Sequence, residues 1–343
     1  MNIPHPTKFL SHPKSVFAAL TLILTAAFLC HAQNPAQRAK MNHDPDAAKL
    51  VTSDFGNFWR AYQQAAAAST ADEREKIYQR DYLDKGSPGL QDFIQSRIQS
   101  AHKLVAALDA HPKYYAALQS VTSRVPQMEP GIHASFRKLK ELYSDAVFPD
   151  VYFLIGRMNS AGTTGDSGLL IGFEMHGQQP DTDMSEMNSW LKSVLGPVDE
   201  LPGIVAHELI HYQQNDADTP TLLGQSIHEG TADFVGEMIS GQTINKHLRS
   251  YGDAHEAELW GQFRKEMAGK DVSRWLYQGD ASTDRPADLG YYIGARIAES
   301  YYQHNSDKKQ AIRDILTVTD YDAFVRASHY ADKFSAPSSA PTN

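Results

Sequence analysis

The sequence contains a single cysteine, Cys30, among its 343 residues. One cysteine excludes an intramolecular disulfide framework and a zinc site built from several thiolates. If the N-terminal segment that carries Cys30 is removed on export, the mature protein has no thiol at all. The protein must then be held together by its hydrophobic core, for which roughly 300 residues provide enough chain.

Positive charge is also scarce. The chain has 32 Lys and Arg residues against 41 Asp and Glu residues, which gives a formal net charge of -9 at pH 7. A protein that binds nucleic acid needs a basic face. We therefore expect no nucleic-acid partner.

Long apolar runs are absent except near the N-terminus, from Val16 to Leu29. Lys8 and Lys14 precede this run and Ala32 follows it, an order typical of a secretory signal peptide cleaved after Ala32. The run is shorter than the ~20 residues that a spanning helix needs. We expect an exported protein, periplasmic or extracellular, with no stable membrane span after cleavage. A lipid attached to Cys30 and a retained N-terminal membrane anchor are the alternatives.

The most informative stretch is His207-Glu-Leu-Ile-His211, in which Glu208 follows the first histidine. Pro202 suits the first turn of a helix, so the flanks predict a helix here. Residues four apart on a helix share a face, and both imidazoles can therefore reach one cation. In zinc hydrolases two such histidines bind Zn²⁺ and the glutamate acts as general base. The alternative is an amphipathic helix with two surface histidines.

A catalytic zinc ion uses three protein ligands, so a third must lie elsewhere. One pattern continues with a glycine and a third histidine, but Gln214 and Ala217 occupy those positions. Further on, Glu229 and Asp233 lie four apart on a second predicted helix. We predict Glu229 as the third ligand, with His228 as its rival.

Asp233 has a separate predicted role. A histidine that binds zinc usually donates its other ring N–H to a carboxylate. We expect Asp233 to accept this hydrogen bond from His207; a plain surface carboxylate is the alternative. The predicted metal ligands are thus His207, His211 and Glu229, and they hold one Zn²⁺.

The combined pattern, His-Glu-x-x-His and then Glu-x-x-x-Asp on a second helix, resembles the gluzincin group of zinc metallopeptidases, which includes thermolysin. The segments His207–Tyr212 and Glu229–Phe234 are similar to bacterial families of predicted zinc-dependent proteases. The resemblance covers the chain from about Val151 to Tyr302. It implies a zinc-activated water, Glu208 as its base, and a peptide or protein substrate.

The pattern along the chain predicts an α+β fold that is predominantly helical. We divide it into a signal peptide (1–32), a linker (33–48), an N-terminal helical region (49–145), a zincin-like catalytic domain (146–334) and a disordered tail (335–343). Two strands, Val151–Gly156 and Gly168–Glu174, predict a small antiparallel sheet before the zinc helix.

The gluzincin resemblance suggests two further features. In that group the edge strand of the sheet pairs with the extended substrate, and we assign this role to Gly168, Leu169, Leu170 and Ile171. An ordinary core hairpin is the alternative. A tyrosine or histidine usually donates to the oxyanion; we prefer Tyr292, with Tyr291 as an alternative, although either could be a core tyrosine.

The function that these residues favour is an exported zinc peptidase that hydrolyses amide bonds. A zinc hydrolase with a non-peptide substrate fits the same site. The alternative from another class is an exported zinc-binding or interaction protein with a peptidase fold and no catalysis. Glu208 is the residue that separates these hypotheses, because metal binding alone does not need it.

Overall fold

Helices form most of the structure, a computed structural model that describes residues 41–214, 219–282 and 284–334. The predicted signal peptide with Cys30, the first half of the predicted linker and the predicted tail at 335–343 lie outside the described residues. The second half of that linker packs on the body of the protein: Phe148 donates its N–H to the Asn42 carbonyl, and His133 Nδ1 lies 2.8 Å from the Pro45 carbonyl oxygen.

The N-terminal region is helical, as the sequence predicts, and side-chain caps set several of its boundaries. Thr70 accepts the N–H of Glu73, whose carboxylate reaches back to the Thr70 N–H, and this capping box satisfies two donors that a helix start leaves free. The six helices are α1 (Ser53–Ala65), α2 (Ala71–Asp81), α3 (Pro88–Phe93), α4 (Ala101–Ala110), α5 (Pro112–Thr122) and α6 (Glu129–Leu142).

One predicted helix is divided in two. The apolar spacing from Gly89 to Leu108 predicts a continuous helix, but α3 passes into a π-helical turn, Ile94–Ile98, and α4 begins afresh. Gln99 has a φ of 69°, which interrupts the helix, and the Ser100 side chain accepts the N–H of Lys103 to start the next one. Apolar periodicity does not reveal such a break, because both pieces bury the same face.

The sheet has four strands in the order β1-β2-β4-β3. Its strands are β1 (Leu50–Val51), β2 (Val151–Leu154), β3 (Gly162–Gly165) and β4 (Gly168–Gly172). β1 and β4 run parallel to β2, and only β3 is antiparallel to its neighbour β4. The prediction of an antiparallel sheet is therefore wrong: the sheet is mixed. Along the chain, the extra strand β3 comes between the two predicted strands, and these pair in parallel.

The open edge next to the histidine helix belongs to β3. The prediction that Gly168, Leu169, Leu170 and Ile171 form this edge is wrong, because β4 pairs with β2 on one side and with β3 on the other. Strand β3 lies in the Gly- and Thr-rich stretch between the two predicted strands, and this composition is more typical of a loop. The turn into β4 is tight, since a Cβ on Gly168 would lie 2.2 Å from the Asp150 carbonyl oxygen.

The C-terminal half is again helical. Within the described ranges no helix is both long and apolar enough to span a membrane. Its helices are α7 (Ser189–Val194), α8 (Leu201–Gln213), α9 (Leu222–Ser240), α10 (Lys246–Glu266), α11 (Leu289–His304), α12 (Lys308–Leu316) and α13 (Tyr321–Ser328). Helix α9 packs between α8 and α11.

Helices α9 and α11 cross at two glycines. A Cβ on Gly294 would lie 1.7 Å from the Ser226 carbonyl oxygen, and one on Gly230 would lie 2.1 Å from the Ala295 nitrogen. Both contacts are with backbone, which cannot move aside as the end of a side chain can. Glycine is therefore required at both positions for the two helices to approach this closely.

This crossing predicts the effect of two matched substitutions. Gly294→Ala should lower the free energy of unfolding by about 3 kcal/mol, since the added methyl group has no space. Gly261→Ala on α10 is the control: a Cβ there meets nothing within 4 Å, and alanine should raise stability by up to about 1 kcal/mol. Urea unfolding followed by circular dichroism measures both, and equal effects would contradict the packing argument.

Candidate metal centre

Helices α8 and α9 bring three potential ligands together. His207 and His211 lie one turn apart on α8, and Glu229 faces them from α9. One ligand atom from each residue lies within 4.8 Å of the other two. The two Nε2 atoms are 3.0 Å apart, and Glu229 Oε2 lies 3.1 Å from His211 Nε2 and 3.7 Å from His207 Nε2. The three residues chosen from the sequence thus converge on one point.

The outer nitrogen of each imidazole faces an oxygen. His207 Nδ1 lies 2.8 Å from Asp233 Oδ1, and His211 Nδ1 lies 2.7 Å from Gln214 Oε1. The Gln214 amide is oriented by a second contact, since its Nε2 donates to the His228 carbonyl at 2.8 Å. A carboxylate and an amide oxygen accept, so both histidines carry their proton on Nδ1. Their Nε2 atoms therefore point into the cluster.

The convergence of the two Nε2 atoms and the Glu229 oxygen needs a positive charge between them. Two unprotonated nitrogens and a carboxylate oxygen repel one another at about 3 Å unless a proton or a metal ion is shared. Burial alone would raise the pKa of Glu229, but His211 and His207 outweigh it and hold that pKa well below its ordinary value. Burial opposes charge on His207 too, yet Asp233 and Glu229 raise its pKa well above the ordinary value.

The donor set fits a zinc ion. All three side chains are nearly or fully buried, with Glu229 only 4% exposed, so water competes little for the cation. Imidazole nitrogen and carboxylate oxygen are common zinc ligands. The Nδ1 contacts with Asp233 and Gln214 fix the ring orientation in the way that metal-binding histidines require.

Glu208 lies beside the cluster and beneath strand β3. Its carboxylate is only 2.5 Å from the place where a Cβ on Gly162 would be, so glycine leaves room for it. Burial raises the pKa of Glu208 above its ordinary value, although His207 and His211 oppose this shift. Among the described residues no side chain donates a hydrogen bond to this carboxylate.

His228, the rival third ligand, lies outside the convergent group. Its ring stacks on His211, with the ring centres 4.7 Å apart. Burial lowers the pKa of His228 to about 3, so the ring is neutral and packs as an aromatic side chain. Glu229 rather than His228 therefore faces the two imidazoles.

The tyrosines are arranged differently from the prediction. The Tyr292 hydroxyl donates to Asp253 Oδ1 at 2.9 Å and does not face the cluster. The Tyr291 ring lies parallel to that of His207, with the centres 6.4 Å apart. The tyrosine that contacts a predicted ligand is Tyr277, whose hydroxyl donates to Glu229 Oε1 at 2.9 Å. Burial and the charge of Glu229 both raise the pKa of this phenol.

Sequence reasoning missed three residues of the site. Gln214 follows His211 by three positions, so helical spacing could have indicated it. Asn245 donates to Asp233 Oδ2 at 2.8 Å from just before α10, and Tyr277 lies 48 positions after Glu229. No local sequence pattern indicates Asn245 or Tyr277, because tertiary packing alone brings them to the site.

The fold and the site define a predominantly helical protein with a small mixed sheet and a buried His–His–Glu group. The family model described as Gliding motility protein GldB matches residues 40–332, and the chain therefore belongs to this family. The family is of lipoprotein type, which is consistent with an exported protein and with a lipid anchor. No curated protein and no solved structure matches the chain.

This family assignment corrects the function that the sequence pattern predicts. The inferred membership of the gluzincins is wrong, because the matching family is one of gliding motility and not of peptidases. The predictions of an exported zinc peptidase and, more broadly, of an enzyme are wrong for the same reason. Two histidines and a carboxylate on neighbouring helices satisfy the needs of a metal ion, and those needs are the same with or without catalysis.

The Asp233 contact predicts a loss of metal affinity on substitution. Asp233→Ala removes the acceptor that orients His207 and should weaken zinc binding roughly 10- to 100-fold. Glu237→Ala is the control, because Glu237 lies one turn further along α9 and pairs with Arg249 instead. Competition against a chromophoric chelator measures both affinities. Equal affinities for the two variants would contradict this role of Asp233.

Proposed function

We propose that this chain is an exported, non-catalytic zinc-binding protein of the gliding-motility family. His207, His211 and Glu229 hold the ion, and Asp233 and Gln214 orient the two imidazoles. In this proposal the helices around the ion and the mixed sheet keep a zincin-like arrangement without its chemistry. The protein contributes to motility through contacts with other proteins, as a structural component does.

One observation carries the metal-binding part of the proposal. Both histidines direct Nε2 toward the same oxygen of Glu229, while Asp233 and Gln214 accept from the opposite nitrogens. Without a proton or a cation between them, the two nitrogens and the carboxylate oxygen would repel one another. A divalent cation converts this repulsion into three bonds. Zinc is the preferred candidate, since it accepts both imidazole and carboxylate ligands.

The position of the site suggests what the ion does. It would join α8, which lies against the sheet, to α9, which packs on α11. Bound metal stabilises the folded state, since the unfolded chain does not hold the ligands together. The ion would therefore connect the sheet side of the protein to its C-terminal helices.

Zinc binding can be tested on the purified protein. We expect one zinc ion per chain, and zinc at 100 times its dissociation constant should raise the free energy of unfolding by about 2.7 kcal/mol. His211→Ala and Glu229→Ala should remove both the bound zinc and the stabilisation. His228→Ala should keep them, because His228 only stacks on His211. Elemental analysis and thermal unfolding with and without zinc provide the measurements.

The outcomes separate the possibilities clearly. Loss of zinc in His228→Ala but not in Glu229→Ala would assign the third ligand to His228. Wild-type protein that takes up no zinc, or gains no stability from it, contradicts the proposal. Variants must first show native circular dichroism, so that a loss of zinc is not a loss of fold.

The non-catalytic part can be tested in cells. Glu208→Gln keeps the size of the side chain but removes a general base, whereas His211→Ala removes a metal ligand. We expect Glu208→Gln to restore gliding in a deletion strain and His211→Ala to fail, with equal protein levels confirmed by immunoblot. If Glu208→Gln retains zinc and its fold but fails to restore gliding, Glu208 does more than occupy space and the non-catalytic proposal is wrong.

A further inference from the structure

Tyr277 combines an exposed ring with an inward-pointing hydroxyl. The residue is 51% exposed and is the large hydrophobic residue most open to solvent in the described ranges. The hydroxyl nevertheless reaches Glu229 Oε1 at 2.9 Å. An aromatic ring left in water contributes little to the core. The position of the hydroxyl, rather than burial of the ring, is therefore what this side chain provides.

The backbone at Tyr277 is strained. Its φ of 58° lies in the left-handed region, which costs a bulky residue on the order of 1–3 kcal/mol. Such a conformation persists only where the surrounding structure imposes it. Contacts on both sides of Tyr277 must therefore hold its backbone in this conformation.

A pair of reciprocal hydrogen bonds imposes this conformation. The backbone N–H of Gln278 donates to Asp288 Oδ1 at 2.9 Å, and the N–H of Asp288 donates to Gln278 Oε1 at 3.0 Å. Gly290 also donates to the Trp275 carbonyl at 2.8 Å. These bonds fix the chain on both sides of Tyr277 to the start of α11. The hydroxyl is thus held over Glu229 by a closed loop.

We propose that Tyr277 is the fourth protein ligand of the metal ion. This inference rests on the proposed zinc site, which supplies three ligands, whereas structural zinc sites are closed by four. The hydroxyl already touches one oxygen of Glu229, and the other oxygen faces the two imidazoles. The phenol oxygen would bind the metal, and its proton would pass to solvent.

Closure by Tyr277 also accounts for a site without catalysis. A catalytic zinc ion keeps a position open for water, which it activates. A phenol oxygen in that position leaves no metal-bound water for Glu208 to deprotonate. The same hydroxyl could instead act only as a hydrogen-bond donor to Glu229, in which case the fourth position stays open. These two arrangements differ in whether oxygen and metal are bonded.

A spectroscopic experiment detects that bond directly. Copper(II) occupies sites of this nitrogen and oxygen type, and a phenolate bonded to it gives a charge-transfer absorption band in the visible region. We expect the copper-loaded wild-type protein to show this band and Tyr277→Phe to lack it. Tyr291→Phe is the matched control, since Tyr291 lies near His207 but does not contact a ligand oxygen. It should keep the band.

A measurement with zinc itself accompanies the copper experiment. Zinc should produce the ultraviolet difference spectrum of an ionised tyrosine in wild type and Tyr291→Phe but not in Tyr277→Phe. Loss of the ligand should also weaken zinc binding by tenfold or more, in the range of losses from the ligand shell. Phenylalanine retains the half-exposed ring, and native circular dichroism checks that the variant folds.

The results distinguish this inference from the one on which it rests. If the wild type binds both metals but shows no phenolate band, or if Tyr277→Phe retains the band, Tyr277 is not a ligand and the three-residue site still stands. If Tyr291→Phe loses the band and Tyr277→Phe keeps it, the ligand is Tyr291 and the inference about Tyr277 is wrong. If neither metal binds, the proposed zinc site fails and this inference fails with it.

Discussion

The arrangement around α8 and α9 depends on the close approach of two imidazole nitrogens and a carboxylate oxygen, which repel one another unless a proton or a cation lies between them. His207 and His211 direct their Nε2 atoms toward one oxygen of Glu229; His207 and Glu229 are buried, and His211 is nearly so. Burial strengthens such repulsion because the surrounding dielectric is low. A shared positive charge is therefore a condition for the two helices to pack as they do. The outer contacts with Asp233 and Gln214 hold the two rings in this orientation.

The sequence predicts the inner part of the site well, for a physical reason. Residues four apart on one helix must share a face, so the relation between His207 and His211 follows from helix geometry alone. The same reasoning relates Glu229 to Asp233. Local sequence spacing does not show that the two helices meet face to face. It also does not show Asn245 and Tyr277, which contact the site from other segments that carry no motif. The pattern of His207, His211 and Glu229 does not indicate the family to which the chain belongs.

The fold, like the site, is predictable from the sequence in its local features and less so in its tertiary ones. Helices with a single apolar face lie where apolar spacing predicts them, and α13 also has a side-chain cap, in which Asp320 accepts the N–H of Ala323. The sheet is less predictable because its topology depends on pairing between distant segments. The Gly- and Thr-rich stretch around Thr163 has the composition of a loop, yet it becomes β3 because β4 offers it a partner. Because β3 adds one reversal of the chain between β2 and β4, these two strands run parallel. The open edge is therefore β3 and not β4.

The crossing of α9 and α11 has a consequence for the metal centre. Gly230 directly follows Glu229, and Gly294 lies against the carbonyl of Ser226 one turn earlier on α9. The stretch of α9 that holds the carboxylate is therefore placed by a helix that contributes no ligand. Two absent methyl groups thus set the position of Glu229 relative to α11, through residues that do not themselves belong to the His–His–Glu group.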